Sequence, residues 1–341
     1  MTSPTAPVRA RRLGLYGPFA ALAIAVAAWS GGWLWMKSDV ERRLDAAVAE
    51  QARAGGALTW GGRRIHGYPF RVDVDFTDIA WRASDGWGLA APALKTEAFL
   101  FAPGHWVAVA PAGLTFTRPV GGSVTVAAKV LRASLSDTSG HPPSLSLEGL
   151  GLTFSPAIGA APYFLRSASE LHVHTRAGPA DQGAFYVELD DGAPAPETPL
   201  GRVAGGKPVT IVIDAIYSHA TALAGPTWPA SVGAWAGAGG KIHMRQFRLQ
   251  TGASVLNGRG DSLSVGGDGR LTGVLDATLA GGADALAALT QAGPIDRAAL
   301  RIAGSALQIV HAGPPDHVTL DFADGRTRLG PVAIGPSPKV Y

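Results

Sequence analysis

The spacing of hydrophobic residues divides the chain into an apolar N-terminal run and a long alternating remainder. Residues 13–36 are 24 positions without a charged side chain. As a helix this run would be about 36 Å long, enough to cross the ~30 Å hydrocarbon core of a bilayer. Tyr16 stands near its start, and Trp29, Trp33 and Trp35 crowd its far end, where aromatic side chains reach the headgroup level. The run therefore predicts a transmembrane anchor over residues 13–36.

A basic tail precedes the predicted anchor. Arg9, Arg11 and Arg12 are its only charged residues, whereas basic and acidic residues alternate after the anchor. Because a basic tail before an apolar run stays in the cytoplasm, residues 1–12 are predicted to be cytoplasmic and the body to lie across the membrane. A cleaved signal peptide, with Ala25-Val26-Ala27 as its cleavage site, is the alternative. The uncharged run continues for nine positions beyond that site, which is long for a signal peptide.

A short amphipathic helix is predicted next to the membrane, over residues 37–54. Its apolar positions recur every four residues, and Gly55-Gly56 supplies a stop. Residues 38–41 fit a capping box, so this helix can begin anew at the membrane surface instead of continuing the anchor. The apolar positions are Val40, Leu44 and Val48.

Beyond residue 57 the hydrophobic period changes from 3.6 to 2. Phe70, Val72, Val74 and Phe76 alternate with charged side chains, which is the pattern of a strand buried on one face. Similar runs recur between turn signals at short intervals, which favours antiparallel neighbours. These runs cover residues 106–109, 114–117, 123–135, 145–154, 171–175, 185–189, 209–215, 241–249, 263–265, 271–279, 299–309 and 318–322.

Helical patterns are few in this body. Residues 283–291 and 230–236 are the two candidates. Residues 191–208 are too rich in proline and glycine for either regular element, so they predict a long loop between a first β-rich half, 57–190, and a second, 209–341. The predicted fold class is α+β and predominantly antiparallel β. It consists of one N-terminal transmembrane helix followed by a large curved β-rich domain with a few short helices.

Composition restricts the classes of function. Hydrophobic residues make up 47% of the chain and charged residues 16%, which excludes a disordered protein. Beyond the basic tail the chain carries 26 basic and 26 acidic side chains, so no excess of positive charge predicts a nucleic-acid partner. The chain has no cysteine, which excludes disulfides and thiolate sites.

The motif search gives no catalytic, cofactor or metal site. His172 and His174 share a strand face with Glu170, a spacing that could in principle ligate a metal. Three polar residues on one face are more typical of the solvated side of a half-buried strand, and Asp73 and Asp75 have the same explanation. We therefore expect no enzymatic activity, no cofactor and no metal.

Three sequence blocks resemble a known family. Residues 65–71, IHGYPFR, resemble the G-[YF]-P-F-R signature of the bacterial family named domain of unknown function 2125. Residues 228–240 are similar to its W-P-A segment, and residues 324–338 to its closing D-G-x-x-x-L-G-P stretch. The resemblance implies a single membrane anchor and a large envelope domain, with no catalytic residues to carry over. A remoter similarity in layout, an anchor before a long β-rich envelope domain, connects the chain to AsmA-like proteins.

The signature block, which comprises Gly67, Tyr68, Pro69, Phe70 and Arg71, has a structural interpretation. Gly67 permits a positive φ, Pro69 restricts the preceding residue, and Phe70 opens the buried face of the strand. The alternative is that Tyr68 or Arg71 contacts a ligand or partner.

The leading hypothesis is a non-enzymatic protein of the bacterial inner membrane, with its body in the periplasm and an apolar sheet groove for lipid. Few charges and many half-buried strands require one apolar face that scarce helices do not fully cover. Phe70, Val72, Val74 and Phe76 are the candidate groove residues. The alternative is an assembly protein whose sheets close into a sandwich and bind another envelope protein. An envelope hydrolase that uses a carboxylate or histidine site outside known motifs is a third hypothesis.

Overall fold

The computed structural model describes residues 13–138, 140–281, 316–329 and 332–341. A single helix, α1, runs from Leu13 to Arg53 and contains both the predicted anchor and the predicted amphipathic helix. Within the described residues it is the one helix long and apolar enough to cross a membrane. The new helix start suggested by the capping box does not occur, because Met36 and Val40, on either side of it, pack against the same sheet face and hold one continuous helix there.

Eighteen strands follow α1 in the described part of the chain. The first nine are β1 Ala57–Thr59, β2 Gly62–His66, β3 Arg71–Arg82, β4 Gly88–Phe99, β5 Trp106–Val109, β6 Leu114–Arg118, β7 Gly122–Ala127, β8 Val130–Ser136 and β9 Ser144–Pro156. The others are β10 Leu165–Gly178, β11 Gln182–Pro194, β12 Val209–Ser218, β13 Ile242–Thr251, β14 Ser254–Val265, β15 Leu271–Ala280, β16 Asp316–Ala323, β17 Arg326–Leu329 and β18 Val332–Pro336.

All these strands belong to one sheet, and the described pairings are antiparallel. Its main ribbon runs β2, β3, β4, β5, β8, β9 and then through consecutive neighbours to β18. β1 pairs with the far end of β3. β6 and β7 connect β4 to β9, so that β4, β5, β8, β9, β7 and β6 form a closed circuit beside the ribbon. The predicted class, predominantly antiparallel β with an N-terminal apolar helix, is confirmed.

Among the described residues, two short helices interrupt the succession of strands. α2 covers Pro199–Ala204, and its N-cap residue Thr198 accepts a hydrogen bond from the Gly201 amide. α3 covers Trp228–Gly237, close to the predicted 230–236, with Thr227 as N-cap. A single 3-10 turn covers Ala220–Ala222.

The predicted long loop over residues 191–208 is wrong. β11 continues to Pro194 and α2 begins at Pro199, so both regular elements occur in this segment. β12, which follows it, pairs directly with β11, so the segment does not divide the sheet into two halves. The overlooked signal is Thr198 followed by proline, which is an N-cap before a first-turn proline.

Most predicted strands are present, and several are longer than predicted. Residues 123–135 form two strands, β7 and β8, which pair with different parts of β9. β4 was not predicted because its alanine-rich sequence gives a weak strand signal. The predicted helix 283–291 and the predicted strand 299–309 lie outside the described residues.

α1 packs on β3 through a cluster of buried apolar side chains. Trp33, Met36 and Val40 are buried against Val72 and its strand neighbours. The helix lies along β3. Trp33 contacts Arg71, the first residue of β3, and Ala57, just past the end of the helix, pairs with Arg82, the last residue of β3. The last part of the apolar run therefore packs on the sheet.

Candidate functional site

One row of directly opposed residues crosses twelve strands with almost no polar side chain. The register between neighbouring strands places the apolar residue of each strand directly opposite an apolar residue of the next. Thr96 is the polar exception, and its hydroxyl donates to the Val74 carbonyl oxygen at 3.3 Å. This apolar row consists of Ile65, Val74, Thr96, Ala108, Ala133, Leu147, Val173, Val187, Ile213, Phe247, Gly258 and Ala277.

The rows two residues to either side, on the same face, are also apolar. Toward the start of β3 the parallel row includes Trp106, Leu135, Leu145, Phe185 and Ala215, with Thr175 of β10 as a polar member. Toward the other side it includes Leu131, Leu171, Leu189, Ile211 and Leu249. The opposite face is polar along the same strands and carries Glu97, Ser134, Ser146, His174, Tyr186, Asp214 and Gln246.

The two ends of the apolar row are covered, whereas its middle is open. Val74 is 1% exposed under α1, and Ala277 is buried in the core cluster of β14 to β16. Between them, from Thr96 to Phe247, every member of the row is half-buried. This open stretch crosses eight strands, which corresponds to about 34 Å at ~4.8 Å per strand. The described helices pack mainly on β1, β3, β11 and β14.

A cavity of about 360 Å³ lies where the open stretch meets α1. Val40 and Leu44 of the helix form one wall, and sheet residues that include Trp106 and Leu135 form the other. Arg43 is the one charged residue at the rim, and its guanidinium binds Asp39 at 2.6 Å. Together with Arg42, this contact lowers the pKa of Asp39. The pocket is therefore an apolar space closed on one side by the helix.

The signature block docks on α1. Gly67 has φ +102°, as predicted, and turns the chain into β3. The Trp29 indole donates to the Pro69 carbonyl oxygen at 2.7 Å, and the Trp33 indole donates to the Arg71 carbonyl oxygen at 2.7 Å. These two hydrogen bonds join the signature block to α1, an arrangement that agrees with the structural interpretation of the block.

Phe70 is placed differently from the prediction. It precedes β3 and is 62% exposed, and its ring meets Trp29 edge-on at 6.3 Å instead of opening the buried face. The other predicted groove residues, Val72, Val74 and Phe76, lie on one face, where they are buried under α1. Val74 and Phe76 line the cavity, but the open stretch lies on later strands.

Sequence analysis missed the open stretch as a unit, although every one of its strands except β4 was predicted. The apolar alternation at Leu145 and Leu147, and at Leu171 and Val173, is visible in the sequence. The register between strands joins these pairs into one surface, and the sequence of a single strand does not determine that register.

The histidine pair lies on the polar face. The rings of His172 and His174 stack at 6.3 Å, and His172 lies 3.4 Å from the Glu170 carboxylate. Across the strand the Tyr186 hydroxyl donates to Glu188, and loss of hydration together with this contact raises the pKa of Tyr186 to about 12. No group of three metal-binding side chains occurs among the described residues.

Comparison with known proteins gives one match. The model of a family described as an uncharacterized protein conserved in bacteria matches residues 33–338. No curated protein and no solved structure matches the chain. The matched region begins at Trp33 and includes the signature block, the cavity and the open stretch.

Proposed function

The chain belongs to the bacterial family of uncharacterized proteins named domain of unknown function 2125, and from this premise we propose that it is a membrane-anchored protein that binds lipid acyl chains on the apolar face of its sheet. The proposal places α1 in the bacterial inner membrane as a single-pass anchor and the sheet in the periplasm. It involves no catalytic step, cofactor or metal.

The observation that carries the proposal is the open stretch of the apolar row. An apolar surface that is only partly buried is unfavourable in water by roughly 25 cal/mol for each Å² left uncovered. Contiguous apolar patches of this kind mark sites for partners or lipids. The face presents hydrocarbon side chains in several parallel rows and no ion pair of its own, which suits an acyl chain better than a polar ligand.

A lipid occupant also agrees with the position of the face. The cavity at one end is walled by α1, the same helix that carries the predicted anchor. A lipid that left the bilayer beside the helix would therefore meet apolar side chains at once. The layout is analogous to that of AsmA-like proteins, an analogy of architecture only.

The assembly alternative, a closed sandwich that binds another envelope protein, has less support. The described strands join one hydrogen-bonded sheet, whereas a sandwich would require two sheets packed face to face.

The test places one new charge on each face of β10. Val173→Glu puts a carboxylate in the open stretch, whereas His174→Glu, the matched control, puts it one residue away on the polar face. The assay is binding of cis-parinaric acid, a fluorescent fatty acid, to the full chain in detergent. Because an unpaired charge on an apolar contact surface is strongly unfavourable, we expect Val173→Glu to bind at least tenfold more weakly and His174→Glu to bind as the parent does.

A second variant separates binding from folding. Val173→Thr keeps the shape of the side chain and replaces one methyl group with a hydroxyl, so it should fold normally and weaken binding less than glutamate does. Melting curves of all three variants establish that they are folded. A parent protein that does not bind the fatty acid, or a folded Val173→Glu that binds it normally, would refute the proposed function.

A further inference from the structure

Four exposed aromatic residues lie together at one end of the sheet, on the turns before β3 and after β4. Arg71 pairs with Phe99, and the Leu100 amide donates to the Phe70 carbonyl oxygen at 2.9 Å, so the two turns are adjacent. The rings of Phe99 and Phe101 stack at 5.0 Å. We call this group the aromatic collar; it consists of Tyr68, Phe70, Phe99 and Phe101, which are 52%, 62%, 42% and 72% exposed.

The collar is fixed to the apolar part of α1. The Ser30 hydroxyl and the Tyr68 hydroxyl are hydrogen-bonded at 2.9 Å, and the Trp33 ring meets the Tyr68 ring edge-on at 5.6 Å. Trp29, which contacts Phe70, lies seven residues before Met36, the last residue of the charge-free run. At ~1.5 Å per residue this contact is about 10 Å inside the end of that run.

Charged groups begin just beyond the collar on both elements. On the helix the first charged residue after the run is Lys37. On the sheet the first charged groups are Arg71, which follows Phe70, and Glu97, which lies two residues before Phe99. The Arg71 guanidinium binds the Glu97 carboxylate at 2.9 Å. Arg71 is bound by Trp33, four residues before Lys37, so helix and sheet change from apolar to charged within about 6 Å of each other, as they would across the surface of a bilayer.

We infer that the aromatic collar inserts into the membrane leaflet beside α1 and forms a second membrane contact of the protein. The occupant of this surface is the lipid of that leaflet, because the collar continues the surface of the helix that spans it. Tyr68 supplies a hydroxyl among apolar rings, a combination suited to the interface. The inference rests on α1 spanning a membrane and not on lipid binding by the sheet.

The collar also gives the apolar face an opening to the bilayer. Trp106 lines the cavity and pairs with Ala98, the neighbour of Phe99 in β4. The cavity therefore lies close to the collar, and this short distance gives an acyl chain a route from the leaflet to the sheet. This step rests on the proposed function.

The absence of cysteine makes the insertion measurable. Phe101→Cys and Val120→Cys each introduce one thiol for a bimane label, and Val120 is the matched control because it is an apolar residue, 90% exposed, in another turn. Val120 follows β6, which pairs with Gly88 at the opposite end of β4, about 37 Å from Phe99 at ~3.4 Å per residue. The labelled full chain is reconstituted into phosphatidylethanolamine and phosphatidylglycerol vesicles, some of whose acyl chains carry nitroxide quenchers.

We expect nitroxide lipids to quench bimane at position 101 at least threefold more than bimane at position 120, and aqueous iodide to show the reverse order. Equal iodide access at the two positions, with no lipid quenching at 101, would overturn the inference. Fatty-acid binding in detergent is measured on the same variants. Quenching at position 101 without fatty-acid binding by the parent would support insertion of the collar and refute the proposed function. Fatty-acid binding without quenching at position 101 would support the proposed function and refute insertion of the collar.

Discussion

Replacing Gly67 by alanine tests whether the signature turn holds the sheet on α1. Gly67 has φ +102°, a conformation that L-residues rarely adopt. A methyl group there would lie 2.8 Å from the Arg71 carbonyl oxygen and 2.8 Å from an Asp73 carboxylate oxygen. The Arg71 amide closes the turn by donating to the Gly67 carbonyl oxygen at 3.0 Å, and the Arg71 carbonyl oxygen accepts from Trp33. The turn therefore has no free direction in which to relax.

Two other glycines separate strain from crowding. Gly159 has φ +81° with nothing within 4 Å of an added methyl group, and Gly104 has open space without a positive φ. Backbone strain costs about 1–3 kcal/mol, and crowding of a packed site adds about 1–3 kcal/mol. We expect Gly104→Ala to change the free energy of unfolding by less than about 0.5 kcal/mol. By the same reasoning Gly159→Ala should lower it by about 1 kcal/mol and Gly67→Ala by about 2–4 kcal/mol.

The measurement is urea denaturation of the full chain in detergent, followed by tryptophan fluorescence, since Trp29 and Trp33 report on the docked turn. A Gly67→Ala protein as stable as Gly159→Ala would show that the turn does not hold helix and sheet as described. A Gly67→Ala protein with normal stability but no cellular function would instead favour the ligand-contact interpretation of the signature.

Two further predictions concern topology and pH. Alkaline phosphatase fused after Tyr341 should be active, and N-terminal sequencing of the mature protein should not begin at Ala28, because an uncleaved anchor places the body outside the cytoplasm. Burial raises the pKa of Tyr163 to about 12, whereas the unfolded phenol ionises near 10, so stability should fall as pH rises from 10 toward 12. Tyr163→Phe should reduce that fall in melting temperature; an unchanged fall would contradict the assignment.

Local patterns predicted the elements because period and length determine them. The charge-free run predicted the apolar part of α1, and the period-2 alternation predicted most strands. The signature predicted the positive φ of Gly67, since few other residues adopt it.

Features that depend on contacts between residues far apart in the chain could not be predicted from local sequence patterns. The capping box at Ser38 is a sound helix start, yet sheet residues that pack on Met36 and Val40 keep α1 continuous. Phe70 fits the alternation of β3, but its position is decided by Trp29, 41 residues earlier in the chain. The apolar row depends on strand register, which is fixed by the whole succession of hairpins.

In the proposed function, α1 connects the membrane to the candidate site. One continuous helix carries the apolar run, binds the signature turn through Trp29 and Trp33, and closes the cavity with Val40 and Leu44. The depth of the anchor in the bilayer therefore fixes the height of the cavity above it, because no break in the helix separates the two. A flexible joint at Ser38 would have left the sheet free to tilt away from the lipid. The continuity of α1, which local sequence signals did not predict, is thus the feature on which the proposed exchange of lipid between a membrane and the apolar face depends.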